Sequence, residues 1–103
     1  MKLFRKLIRD RVPEIIERDG KKANVRVLDD AEFLTALENK LLEEVQEMRQ
    51  GADKKVEIAD IYEALDMLIK ARGFSKEEIS AIQKKKREER GGFDKKLFLE
   101  SAD

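Results

Sequence analysis

The chain has 103 residues, with 23 Lys and Arg against 23 Asp and Glu, and neither Cys nor His. Zero net charge gives no basic field for DNA or RNA. The missing Cys and His remove disulfides, thiolate nucleophiles, zinc–thiolate sites and the commonest general base. Any chemistry falls to carboxylates, Lys, Arg, hydroxyls or bound metal, within one small domain over 1–103 whose modest core a second copy would enlarge. The basic N-terminus lacks the apolar core of a signal peptide, and no apolar run reaches membrane-spanning length. A cytoplasmic protein with no membrane or nucleic-acid partner is expected.

Charged residues make up 45% of the chain but alternate with apolar ones at regular spacing, which predicts a helical protein rather than disorder. Lys2 to Asp10 is mixed basic and apolar, extended or irregular. Pro13 suits the first turn of a short helix from Val12 to about Arg18, stopped by Asp19-Gly20. The β-branched stretch at 23–28 predicts a brief strand. Asp29 and Asp30 cap a long helix from about Ala31 to Gln50, closed by Gly51. Asp53 caps a second, from about Lys54 to Arg72, closed by Gly73. Ser75-Lys76-Glu77-Glu78 fits a capping box and opens a helix to about Arg90, broken by Gly91-Gly92. Residues 94–99 are expected to pack back as a strand or irregular arm. The fold class is all-α: a helical bundle of two long antiparallel helices plus shorter ones, with short strands near 23–28 and 94–99.

On a helical wheel with Phe33 at zero, the first long helix carries its apolar residues on an arc of roughly 180°. Glu44 falls inside it at about 20°, Glu47 just beside it at about −40°, and Glu43 further out at about −80°. The apolar arc of the second long helix, with Val56 at zero, covers roughly 240°, so this helix should be central. Asp60 at about 40° and Glu57 at about 100° lie within it, three residues apart. The short connection makes the helices antiparallel, so the four acids converge near the bundle middle. Carboxylates on oily faces are costly unless paired, hydrogen-bonded or bound to metal. Glu44, Glu47, Glu57 and Asp60 therefore read as a cation site, and an all-oxygen ligand set suits Mg²⁺, with Mn²⁺ as the second choice. The competing interpretation is an ion-pair ladder neutralised by Lys40, Lys54, Lys55 or Arg72.

Glu43-Glu44-x-x-Glu47 followed by Glu57-x-x-Asp60 resembles the signature of the MazG-like all-α NTP pyrophosphatase superfamily. Three further stretches are Lys6-Leu7-Ile8-Arg9-Asp10-Arg11-Val12-Pro13-Glu14-Ile15-Ile16, Arg26-Val27-Leu28-Asp29-Asp30 and Glu88-Glu89-Arg90-Gly91-Gly92-Phe93. They are similar to the house-cleaning NTP pyrophosphatase branch related to phosphoribosyl-ATP pyrophosphohydrolase. The likeness covers nearly the whole chain. The gap between Glu47 and Glu57 is shorter than in many members, which suggests trimmed helix ends.

The resemblance implies Mg²⁺-dependent hydrolysis of a nucleoside triphosphate to the monophosphate and pyrophosphate, as house-cleaning of non-canonical nucleotides. It places the metal ligands at the same four acids and leaves water activation to the metal and a neighbouring carboxylate, Glu43 or Glu47. Phosphates also need cations. Lys40, one turn from Glu44, is the first candidate, against a plain i,i+4 ion pair. Lys6, Arg9 and Arg11 form a basic segment that would fold over a triphosphate or stay a surface arm. Lys86 and Arg90 stand out from the charged run before Gly91-Gly92. Tyr62, Phe33 and Phe93 are candidates to stack on a base, with core packing the stronger expectation for Phe33 and Tyr62. The alternative function is a metal- or nucleotide-binding helical oligomer without turnover. Self-association, as dimer or tetramer, is expected on either reading because one copy leaves much of the Val56–Ala71 arc uncovered.

Overall fold

Among the described residues four helices carry the regular structure, at the positions where the sequence places its caps: α1 (Val12–Arg18), α2 (Asp30–Gln50), α3 (Lys54–Ala71) and α4 (Lys76–Arg90). The computed structural model describes residue 2, residues 4–51 and residues 53–103, and no strand forms among them. The architecture is all-α. The chain divides into two compact units, Met1–Gly73 and Phe74–Asp103.

In the first unit, α1 starts with Pro13 in its first turn, and Gly20 takes a φ of 80° as the chain leaves the helix. Asp29 caps α2 through a complete capping box: its side chain accepts from the Glu32 N–H, and the Glu32 carboxylate accepts from the Asp29 N–H. Residues 23–28 do not form the expected strand. Strand hydrogen bonds need a neighbour, and none lies beside this segment among the described residues. Val25 and Val27 stay exposed. Arg26 instead forks onto Glu32 at 2.8 and 3.2 Å and ties the segment to the start of α2.

α3 follows shortly after α2, and its first N–H groups are capped by Asp53. Lys54 donates back to the Met48 and Arg49 carbonyls, satisfying the end of α2. At the far end of the hairpin, Arg72 pairs with Glu38 at 3.1 Å. The two long helices are therefore antiparallel and packed together. Their shared core is thin. Leu37 is 2% exposed and Ala64 7%, whereas Tyr62 on the outward strip of α3 is 66% exposed, contrary to its expected core position. The wheel identifies an apolar arc of about 240° but not which part of it a single neighbour can cover, and α2 covers only one side. Phe33 is half-buried.

In the second unit, Ser75 caps α4 by accepting from the Glu78 N–H at 3.1 Å. Gly91, with φ 81°, ends it. Residues 94–99 form an irregular arm rather than a strand. A turn from the Phe93 carbonyl to the Lys96 N–H, with Lys96 at φ 59°, breaks the extended run before Leu97. Among the described residues no helix is long and apolar enough to cross a membrane.

Candidate metal centre

The short connection and the helical phase of the two Glu/Asp pairs bring five acids together on the first unit. One carboxylate oxygen from each of Glu44, Glu57 and Asp60 lies within 4.8 Å of the others, and the same holds for Glu43, Glu44 and Glu47. Glu44 belongs to both groups and is only 3% exposed, while Glu57 and Asp60 are half-buried. The cluster sits toward the connection rather than at the middle of the hairpin, because Glu57 falls in the first turn of α3. Gly51 makes room for it. A Cβ there would meet the Glu47 carbonyl at 2.7 Å and the Glu57 carboxylate at 3.4 Å. In the sequence Gly51 reads only as a helix stop; its closeness to Glu57 has no sequence signal.

Three cations face the acids. Lys40 Nζ lies 3.2 Å from Glu44 and 3.5 Å from Glu43, one helical turn away on α2. Lys6 Nζ approaches Glu43 at 3.7 Å, and Arg9 Nη2 donates to Asp60 Oδ1 at 2.7 Å. The basic N-terminal segment thus folds onto the carboxylates rather than standing off as an arm. It also reverses the order of two acids: Glu43, under Lys6 and Lys40, is half-buried, while Glu47 is exposed. The wheel sees only one helix and cannot register a segment packed from outside. Arg11 pairs locally with Glu14 at 3.9 Å. Lys86 and Arg90 belong to the second unit, both exposed on α4; Arg90, Phe93, Lys95 and Lys96 line an open groove of about 450 Å³ there.

These cations do not satisfy the cluster. Glu44 Oε2 and Glu57 Oε2 are buried without a hydrogen-bond partner. Two ionised carboxylates can only accept, so neither helps the other unless a proton or a cation comes between them. The strain appears in their ionisation. Burial, the closely placed Glu44 carboxylate, and the charges of Glu47 and Asp60 raise the Glu57 pKa above the ordinary carboxylate value. Partial desolvation beside its neighbours and the charges of Glu44 and Glu43 raise that of Glu47, although the residue is exposed. Burial alone would lower the Lys40 ammonium, but Glu44 and Glu43 outweigh it and raise its pKa. Oxygen-only donors at close spacing, with buried lone pairs left over, fit a hard divalent cation such as Mg²⁺ or Mn²⁺.

An uncharacterized protein from Mycolicibacterium smegmatis (strain ATCC 700084 / mc(2)155) is 49% identical to this chain over 43 residues. That match covers 42% of this chain and 44% of the relative, so the chain spans less than half of the relative's length. No protein-family model and no solved structure matches the chain.

Proposed function

We propose that this chain is a Mg²⁺-dependent nucleoside triphosphate pyrophosphohydrolase of the MazG-like kind, acting in the cytoplasm as a homo-oligomer to clear non-canonical nucleotides. The observation that carries the metal half of this reading is the buried Glu44, with one oxygen on Lys40 and the other without a partner beside the equally orphaned Glu57 oxygen. The nucleotide half rests on the resemblance of the acid pairs and the flanking motifs.

Glu44, Glu57 and Asp60 would hold the metal, with Glu47 at the edge. A Mg²⁺ held by these acids would supply charge neutralisation and Lewis acidity for the phosphates. In the hydrolysis, water adds to the α-phosphorus, the bond from that phosphorus to the bridging oxygen breaks, and pyrophosphate leaves. Glu47 is the better base for the water's proton: it is exposed and lacks the Lys6 and Lys40 ion pairs of Glu43. Lys40 stays beside Glu44 and Glu43 and limits their mutual repulsion. Lys6 and Arg9, exposed at the rim, are the cations placed to meet phosphate oxygens. Lys86 and Arg90 remain candidates from the sequence.

The ion pairs of Lys6, Arg9 and Lys40 favour the second reading, a metal- or nucleotide-binding helical oligomer without turnover. A panel of canonical, deoxy and damaged nucleoside triphosphates, assayed with Mg²⁺ and with Mn²⁺, separates the two. The enzyme releases pyrophosphate and a monophosphate in equal amounts from at least one member. Binding of a nucleotide with no pyrophosphate from any would leave the non-catalytic reading standing alone.

A further inference from the structure

The counter-ions of the acid cluster are of two kinds. Lys40 is fixed: it stands on α2 and its side chain is 20% exposed. Arg9 and Lys6 come from the N-terminal segment, are 57% and 41% exposed, and each holds its acid by a single ion pair. Among the described residues, these two pairs are the side-chain ion pairs that join residues 4–10 to the α2–α3 hairpin. The same segment contains Arg5 at φ 49°, a left-handed conformation unfavourable for a residue with a side chain. Charge, together with the half-buried Leu7 and Ile8, therefore holds the segment against local backbone strain at Arg5.

Its anchor is also a metal ligand candidate. Arg9 Nη2 sits 2.7 Å from Asp60 Oδ1, and an Asp60 oxygen lies within 4.8 Å of the Glu44 and Glu57 oxygens. A divalent cation taken by those three acids would draw on the same carboxylate as the guanidinium, and two like charges so close repel strongly at a site partly removed from water. We propose that Arg9 and Lys6 form a displaceable cationic strap, so that divalent-cation binding and docking of the N-terminal segment oppose one another. This rests on the reading that the cluster takes a divalent cation. The strap covers the acids while they lack their ion and loosens as it enters. By thermodynamic reciprocity, whatever factor the strap takes from metal affinity the metal takes from strap docking.

The test is titration of the whole chain with Mn²⁺, followed by electron spin resonance, for the wild type, Arg9→Gln and Lys6→Gln. Hydrogen exchange of the amides at 5–11 is measured with and without Mn²⁺. Arg9→Gln should bind Mn²⁺ about three- to tenfold more tightly and Lys6→Gln by a smaller factor, the gain from removing one nearby like charge. In the wild type, exchange at 5–11 should quicken on adding Mn²⁺. Equal or weaker Mn²⁺ binding by Arg9→Gln, or slower exchange with Mn²⁺, would overturn the strap while leaving the metal site intact. Absence of Mn²⁺ binding in both the wild type and Arg9→Gln would instead remove the metal site, and the strap with it. If Arg9→Gln lost its helical circular dichroism, Lys6→Gln and the wild-type exchange decide the matter.

Discussion

Among the described residues, Glu44 and Glu57 each keep a buried side-chain oxygen without a partner, which is costly. Because the folded state raises the Glu57 and Glu47 pKa values, it holds protons that the unfolded chain has already released. Stability therefore falls as pH rises from the ordinary carboxylate range through the raised values, and levels off above them. The metal-free protein should melt at higher temperature near about pH 5 than near about pH 7.5, and Mg²⁺ should narrow the difference. Glu57→Gln should raise the metal-free melting temperature by a few degrees at neutral pH while weakening Mg²⁺ binding. An unchanged or lower melting temperature would show that the charge on Glu57 is already satisfied. At this scale the sequence was largely legible: helical phase alone places Glu44, Glu57 and Asp60 on one side. The exchanged order of Glu43 and Glu47 was hidden, because it depends on Lys6, 37 positions before Glu43 in the chain.

The helices themselves are written in their caps. Asp29 with Glu32, Asp53, Ser75 and Gly91 mark the termini of α2, α3 and α4, and each marker acts on backbone groups at the helix end. Where the sequence suggested strands, the residue types were suitable but the partners were not: Val27 is 96% exposed and Phe98 is 88% exposed. β-propensity describes a side chain on a half-buried pleated surface, and no such surface forms among the described residues. The hairpin depends on few core contacts, so single truncations should be costly. Leu37→Ala should destabilise the protein by about 2–5 kcal/mol, read by urea unfolding, which is enough to unfold much of a small domain. A loss under about 1 kcal/mol would mean that the α2–α3 interface is not what holds the hairpin.

For the whole molecule, the open question is what covers the rest of α3. Ile58, Tyr62 and Leu65 share its outward strip and are 42%, 66% and 42% exposed, on the side away from Glu57 and Asp60. With Leu37 and Ala64 as the buried apolar side chains among the described residues, one copy buries too little for a domain of this size. Pairing that strip across two copies would make a bundle of long helices and keep both acid clusters clear of the interface. Light scattering at micromolar concentration should give at least twice the 12.0 kDa chain mass; Leu65→Lys should shift it toward monomer, and a monomeric wild type would contradict this assembly. The all-α class and the carboxylate cluster follow from periodicity and charge, whereas the substrate comes only from motif resemblance. The most direct measurement therefore compares pyrophosphate release by the wild type and Glu44→Gln, with Mg²⁺ and with the metal chelated. The wild type should release pyrophosphate only with Mg²⁺, and Glu44→Gln should lose at least about a hundredfold in rate while remaining helical. Release that survives chelation, or that is undiminished in folded Glu44→Gln, would contradict a metal-dependent active site at these acids.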